Sequence, residues 1–418
     1  MEGKKTVWLW NHYATNMFYD KGGRHHWFGK FLIKKGYDVK IFCATTIHGS
    51  DEEVDTDGKL YTTDVSEGIE YVFVKCPKYI GNGKARIKNM IAFYRGVKKA
   101  GMEIAAKDGK PMVILASSVH PLTLVAGEQT AKKLGVPCIC EVRDLWPETF
   151  VDLGVMKRNS PVAKVLYKGE RWIYKNADKL IFTMPGARDY LKDQGLDKVV
   201  NMDDVYTINN GVDLDNFNWQ KENEVYQDPD LDGEGFKVLY TGAVRMVNHV
   251  ESLVHTAEIC KESGFGDIKF IIIGDGDDKP RLMQYASEKG LSNVVFKDRV
   301  PKKYIPNILS KSDLNVVTIK DSLIGKYGVS WNKLFEYMAS GKPVVVNYEL
   351  TYNTVEEYGF GTCRKFESDE AFADEIVRMS RLPKNEYEAL SKKALEAAKV
   401  FDYKSLTEEL DDIVLGVV

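Results

Sequence analysis

Within Tyr327 to Val346, YGVSWNKLFEYMASGKPVVV, a cation and an acid stand three residues apart, Lys333 and Glu336. Around them the pattern is that of a short helix, and the first turn of a helix has free N–H groups that attract anions. Asn332, Lys333 and Leu334 at that start, with Glu336, could hold a diphosphate and the hydroxyls beside it. Further candidates follow apolar runs elsewhere: Gly242 and Arg245, then Gly274-Asp275-Gly276, then Arg299-Val300. In the first half of the chain they are Gly22-Gly23, His120, and the run Arg143-Asp144 with Glu148. Fixed cations suit the stabilisation of developing negative charge, and a carboxyl or imidazole can orient or exchange protons. Each type also has a structural role. An early acid complements the helix dipole, a lysine is often just solvated, and glycines often serve turn geometry alone.

The elements that must position these residues are legible in the pattern. Trp331, Leu334, Phe335 and Met338 fall at helical spacing and form one apolar stripe, so Glu336 points off it. Ser330 or Asn332 can cap the start, Gly341 suits a left-handed exit, and Pro343 forbids continuation. Val344–Val346 reads as a strand covered on both faces. Val7–Trp10, Val39–Cys43, Tyr71–Lys75, Val113–Ala116, Cys138–Val142, Lys179–Thr183 and Tyr206–Ile208 give a first series of strands. Residues 45–69 read as a polar excursion. Helices fall between the strands, which predicts a parallel, doubly wound sheet. His120 and Asp144 then lie just beyond strand ends, where such sheets place ligands, as do Asn11, His12 and Tyr13. After the turn residues Asn209-Asn210-Gly211-Val212-Asp213, taken as the hinge, a second α/β series starts at Val238–Thr241. Asn248 with Glu251 resembles a capping box, and Pro280 starts a helix.

A chain of 418 residues with a net charge of −3 predicts two or more domains and no global field that would recruit nucleic acid. Its six cysteines form no C-x-x-C pair, which fits neither a metal site nor a disulfide framework and points to a reduced, cytoplasmic setting. No run approaches the length of a bilayer span, and Val7–Trp10 is too short for a signal peptide. Asp203-Asp204 and Asp277-Asp278 read as solvated loop acids, so no metal site is expected. Two segments are basic and aromatic. Lys78–Lys99 contains Lys84, Arg86, Lys88, Arg95 and Lys98 and no acid, with Ile87, Met90, Ile91, Tyr94 and Val97 at helical spacing. Pro161–Lys175 carries Lys164, Lys168, Arg171, Trp172 and Lys175 around one acid, Glu170. Such helices suit an anionic membrane surface, or else pack on their own sheet with a solvated basic face.

The ordered motifs GGRHHWFGKFLIKKGYDV, NNGVD, LYTGAV, FIIIGDGDDKPRL and NKLFEYMASGKPVVV resemble those of retaining glycosyltransferases of family four, and the resemblance covers nearly the whole chain. ASSVHPLTL and EVRDLWPE bring it nearest to a branch that includes L-fucosamine and other polysaccharide-assembly transferases. The resemblance implies the GT-B fold: two Rossmann-like, doubly wound parallel-sheet domains facing across a cleft. They would comprise residues 1–208 on the acceptor side and 209–400 on the nucleotide-sugar side, with a helix at 401–418 docking back on the first. It implies that Glu336 holds ribose hydroxyls and that Lys333, Leu334 and the helix start meet the diphosphate with Gly242 and Arg245. Arg299-Val300 would border the base, Gly23 would face the donor or acceptor, and Asp144 would lie near the donor sugar. The chain departs from the family twice. Gly328 stands where the first glutamate of an E-x7-E pair is usual, and Asn248 and His249 lie where a lysine after Arg245 is usual.

The implied activity is a retaining transfer of a hexosyl or N-acetylhexosaminyl group from a nucleoside-diphosphate sugar, UDP-linked by expectation. The acceptor would be a glycan or a polyprenyl-diphosphate-linked molecule in surface polysaccharide assembly, with no cofactor and no metal. Asp144, His120, Arg245 and Lys333 are the expected catalytic groups, and the setting is cytoplasmic or peripheral on the inner membrane face. Two alternatives share the donor: a GT-B UDP-sugar 2-epimerase, and a non-catalytic nucleotide-sugar-binding subunit.

Overall fold

Apolar runs such as Val113–Ser117 (VILAS) have no polar alternate, and in the computed structural model they are strands buried on both faces. Residues 5–47, 50, 52–79, 81, 83–118 and 120–418 are described. The chain divides into one unit running to Asn209 and including Tyr403–Val418, and a second spanning Asn210–Asp402. Among the described residues no helix is long and apolar enough to cross a membrane.

The first unit contains strands β1 (Thr6–Trp10), β2 (Asp38–Ala44), β3 (Tyr61–Ser66), β4 (Ile69–Val74), β5 (Val113–Ser117), β6 (Cys138–Val142), β7 (Lys179–Phe182) and β8 (Val205–Thr207). They form one sheet in the order β3-β4-β2-β1-β5-β6-β7-β8. All neighbours pair in parallel except β3, which lies antiparallel on β4 at the edge. This corrects the excursion expected over residues 45–69. Tyr61–Ser66 (YTTDVS) is polar because an edge strand is covered on one side only, so it lacks the apolar signature of the central strands.

The register fixes which helices share a side. Trp10 lies beside Ala116, and Ala116 beside Cys140, so their side chains leave the sheet on one face. Leu9, Ile41, Tyr71 and Leu115 leave on the other. That second face is covered by the Arg24–Lys34 helix and by the final helix, Tyr403–Leu415, which buries Tyr403, Leu406, Leu410, Ile413 and Val414. Burial of such side chains is worth roughly 1.5–3 kcal/mol each. The Lys84–Asp108 helix packs on the Trp10 face through only part of the stripe that the spacing marks. Phe93, Val97, Ala100 and Ile104 are buried with Met90, whereas Ile87 and Ile91 are exposed. Gly96 and Gly101 set the difference by letting the helix backbone approach Val74 and Trp10.

The second unit contains β9 (Lys237–Thr241), β10 (Lys269–Ile273), β11 (Val294–Lys297), β12 (Leu314–Thr318), β13 (Val344–Asn347) and β14 (Gly361–Arg364). The order is β11-β10-β9-β12-β13-β14, and every pair is parallel. The direction of winding reverses at β9/β12, where open α/β sheets bind ligands at the carboxyl ends of their strands.

Candidate active site

In the second unit the Asn332–Ser340 helix is fixed over the end of β9 by Tyr337. This tyrosine is fully buried, and its hydroxyl accepts the Thr241 N–H at 2.9 Å. Lys333, one helical turn earlier, is thereby laid across the β9 loop. Its ammonium stands 4.1 Å from the centre of the Tyr240 ring. A Cβ built on Gly242 would lie only 2.6 Å from that ammonium, so the glycine provides the space it occupies. Burial pulls the Lys333 ammonium down to about 8, with Glu336 opposing the shift. Among the described residues Lys333 forms no ion pair.

The start of this helix corrects two expectations. Neither Ser330 nor Asn332 caps it. Trp331 occupies the cap position without a side-chain bond, and Ser330 is turned to Asn210, whose N–H it accepts at 2.7 Å. No side chain, then, occupies the first N–H groups. Leu334 is a core residue, and its N–H already donates to the Trp331 carbonyl at 3.0 Å, so it offers a diphosphate nothing. Asn332 is exposed beside Lys333. Glu336 is partly buried and lies 3.4 Å from the Lys302 ammonium, just after Arg299-Val300-Pro301. Arg299 is exposed, whereas Val300 packs on the core. Arg245 is exposed, and its side chain carries no hydrogen bond or ion pair among the described residues. Asn248 and Glu251 form no capping box. His249 takes the cap position in left-handed backbone, and Glu251 pairs with Arg281 at 2.5 Å.

Gly274 and Gly276 are glycines for a reason other than approach to an anion. A Cβ on Gly274 would stand 1.8 Å from the Gly242 carbonyl oxygen, and one on Gly276 would stand 2.1 Å from that of Val244. The β9 and β10 loops are thus packed backbone to backbone. Their N–H groups are also taken: Gly242 donates to Ile273, Gly274 to Lys297, and Gly276 to the Asp275 carboxylate. Asp275 acts within its own turn. Nor is Asp278 a solvated loop acid, since it is buried and accepts from Arg281 at 2.7 Å. Gly328 has φ +83°, a left-handed conformation that a glutamate would adopt only with strain.

In the first unit the strand ends hold a charge cluster absent from the expected set. Glu141, on β6, is fully buried and accepts from Arg24 at 2.7 Å, His25 at 2.9 Å and Ser117 at 2.6 Å. Burial opposes its ionisation, but Arg24 and His25 prevail and hold the carboxyl well below the usual range. His25 is kept neutral by burial, despite Glu141. It therefore gives its Nε2–H to Glu141 and takes the Asn11 amide at Nδ1, 2.9 Å away. Arg24 further donates to the carbonyls of Ile208 and Asn209. An acid inside the apolar run CICEV, together with a basic GGRHH turn, was the signal that could have found this cluster. Gly23 opens the helix at φ +103°, and a Cβ on Gly22 would stand 3.2 Å from Trp27, so both glycines have conformational or packing grounds.

His120, just beyond the end of β5, is buried. Its Nε2 lies 2.5 Å from His12 Nδ1, and its own Nδ1 has no partner among the described residues. Burial, then the nearby charge of Arg86, drives its pKa down to about 3, so it is neutral near pH 7. His12 stacks between Tyr13 and Phe93, and Arg86 donates to the Tyr13 hydroxyl at 3.0 Å. Asp144 is open to solvent, unlike His120. Among the described residues no three His, Cys, Asp or Glu side chains gather as a metal site.

Residues 222–397 match a family model described as "Glycosyl transferases group 1", and residues 28–216 match one described as "Glycosyltransferase Family 4". The probable glycosyltransferase WbjE of Pseudomonas aeruginosa is 24% identical over 261 residues, covering 60% of this chain and 61% of that protein. The putative colanic acid biosynthesis glycosyl transferase WcaI of Escherichia coli K12 is 22% identical over 368 residues, covering 85% and 87%. A solved structure of Anabaena Alr3699/HepE with UDP and glucose superposes with a TM-score of 0.65 at 15% identity over the full length of both chains, a likeness of fold.

Proposed function

We propose that this chain, whose two parts match glycosyltransferase family models, moves a hexosyl or N-acetylhexosaminyl group from a UDP-sugar to a hydroxyl of a glycan or polyprenyl-diphosphate-linked acceptor, with retention of anomeric configuration. The observation that carries this is the Lys333 ammonium, without an ion pair among the described residues, at an uncapped helix start over Gly242. A diphosphate would supply the counter-charge that Lys333 lacks, and Arg245 is exposed to add a second cation. Glu336 would take the ribose hydroxyls, exchanging its 3.4 Å contact with Lys302 for them. Asn332 and the Arg299 loop would border the nucleotide. UDP itself is suggested by the Anabaena protein solved with UDP and glucose. The relative named for colanic acid biosynthesis suggests a polysaccharide setting.

The bond from C1 to the diphosphate oxygen breaks, and both electrons leave with the diphosphate. Lys333 and Arg245 stabilise that charge, and such fixed electrostatics are usually the largest catalytic contribution. The acceptor oxygen attacks C1 from the face the diphosphate leaves, and its proton passes to the departing phosphate. No covalent protein intermediate is needed. Asp144 is the exposed carboxyl suited to orienting the sugar, whereas neutral, buried His120 holds the β1 and β5 ends through His12.

Calorimetry with UDP, followed by an anomer-resolved NMR assay of transfer to lipid-linked glycans, tests the proposal. UDP binding that depends on Lys333, with UDP released only when acceptor is present, is expected. Epimer formed from donor alone would replace it with the 2-epimerase, and binding without turnover on any acceptor would replace it with the binding subunit.

A further inference from the structure

Three helices, Lys84–Asp108, Pro121–Leu134 and Pro161–Asn176, lie on one side of the first sheet. Gly96 and Gly101 of the Lys84–Asp108 helix lie against Val74 and Trp10. Gly127 of the Pro121–Leu134 helix lies against Ala116 and Cys138. Tyr174 of the Pro161–Asn176 helix meets Phe182 with ring centres 5.6 Å apart. The strand register puts Trp10, Val74, Ala116, Cys138 and Phe182 on the same face, so the three helices form one layer.

The outer surface of this layer is both apolar and basic. On the Pro161–Asn176 helix, Val162 is 62% exposed, Val165 67% and Trp172 42%. At 100° per residue these fall on one edge of the solvent-facing half. Lys164, Lys168, Arg171 and Lys175 fall on the other edge, and the one acid, Glu170, is buried beneath against Tyr190. The Lys84–Asp108 helix repeats the arrangement, with Ile87 56% exposed and Ile91 37% among Lys84, Lys88 and Arg95. None of these cations has a carboxylate partner among the described residues. On the opposite side of the sheet, by contrast, Lys35 is paired with both Glu408 and Asp411. A solvated face does not ordinarily expose two valines and a tryptophan beside unpaired cations. An interface that is apolar below and anionic above accommodates both kinds of side chain at once.

We infer that this helical layer docks the first unit on a bilayer surface carrying anionic headgroups. The valines, isoleucines and Trp172 enter the headgroup boundary, and the lysines and arginines lie among the phosphates. The inference goes beyond sugar transfer and stands on the surface alone, so it can fail while the transferase proposal survives.

The test is co-sedimentation of the whole protein with phosphatidylcholine vesicles, with and without phosphatidylglycerol, at low and high salt. Expected is binding to the anionic vesicles only, weakened by salt. Each cation near the surface is worth about fivefold in partitioning, so K164E/K168E should weaken binding by about 25-fold or more. V165D/W172D should abolish it, and emission from Trp172, isolated by comparison with W172F, should shift to the blue on binding. UDP calorimetry on both double variants verifies folding and should be unchanged. No binding, equal binding to neutral vesicles, or wild-type binding by both double variants would overturn the inference. So would concentration-dependent self-association lost in the same variants, because the face would then belong to a second copy.

Discussion

The Lys333 ammonium occupies the volume that a side chain at position 242 would fill, 2.6 Å from where a Cβ would stand. This makes Gly242 a space-giving residue for a cation rather than a donor of N–H groups, since its own N–H is bonded to Ile273. Gly242→Ala should displace the ammonium and strain a backbone now at φ +143°. UDP affinity should fall about 10- to 100-fold, as expected for a lost charge-assisted contact. Lys333→Ala should match it, and the double variant should be no worse than either single one. Additive losses by calorimetry would separate the two residues.

Lys333 also makes donor binding depend on pH. Its ammonium titrates at about 8 against 10.5 ordinarily, so the charged form is lost on raising pH through that value. UDP affinity should decline above pH 8, and binding near that pH should take up a proton, visible as buffer-dependent heat. Lys333→Arg, charged throughout, should show neither effect. In stability the sign is reversed. The folded state binds this proton more weakly than the unfolded one, so Lys333 disfavours folding less as pH rises from 8 toward 10.5.

Glu336 is assigned to the ribose and Lys333 to the diphosphate, and the two roles can be separated by ligand. Glu336→Ala should weaken UDP by about tenfold, the worth of a charged hydrogen bond, and leave inorganic pyrophosphate unaffected. Equal losses for both ligands would remove the ribose role.

Glu141 should be a folding determinant. Glu141→Ala leaves Arg24 buried without its carboxylate, a loss expected to cost about 3–5 kcal/mol. Its pKa is held well below 4.5, so its stabilisation is present above that value and lost as pH falls through the lower folded value. Melting temperature should drop on acidification. Glu141→Gln should be less stable at pH 7 and show a flatter acid limb.

His120 adds an acid sensitivity of different origin. Its folded value of about 3 lies below the ordinary 6.5. Between these, the unfolded chain takes up a proton that the folded chain refuses, so stability falls as pH drops from 6.5 toward 3. His120→Asn should reduce that slope in thermal melts, while UDP affinity at pH 7 stays as in the parent.

By itself the sequence determined the alternation of strands and helices, the Asn332–Ser340 helix with its following strand, and the ordered motifs that resemble those of glycosyltransferases. These depend on periodicity and turn chemistry among near neighbours, which a linear reading can follow. Tertiary structure decided the rest, because it depends on which strands become neighbours. Glu141 meets Arg24 across 117 residues of sequence through the β6 end, and no local pattern specifies that pairing. Gly274 looked like an anion-binding turn until its Cα was found against the Gly242 carbonyl. By spacing Ile87 shared one apolar stripe with Met90 and Val97, but packing buried those two and left Ile87 exposed, with Gly96 and Gly101 letting the helix approach the sheet on the buried side. His120 read as a strand-end catalytic candidate, and only the packed structure shows it buried beside His12. Residue types fix what chemistry is available; packing fixes which groups keep their water, and so which of them remain free to act.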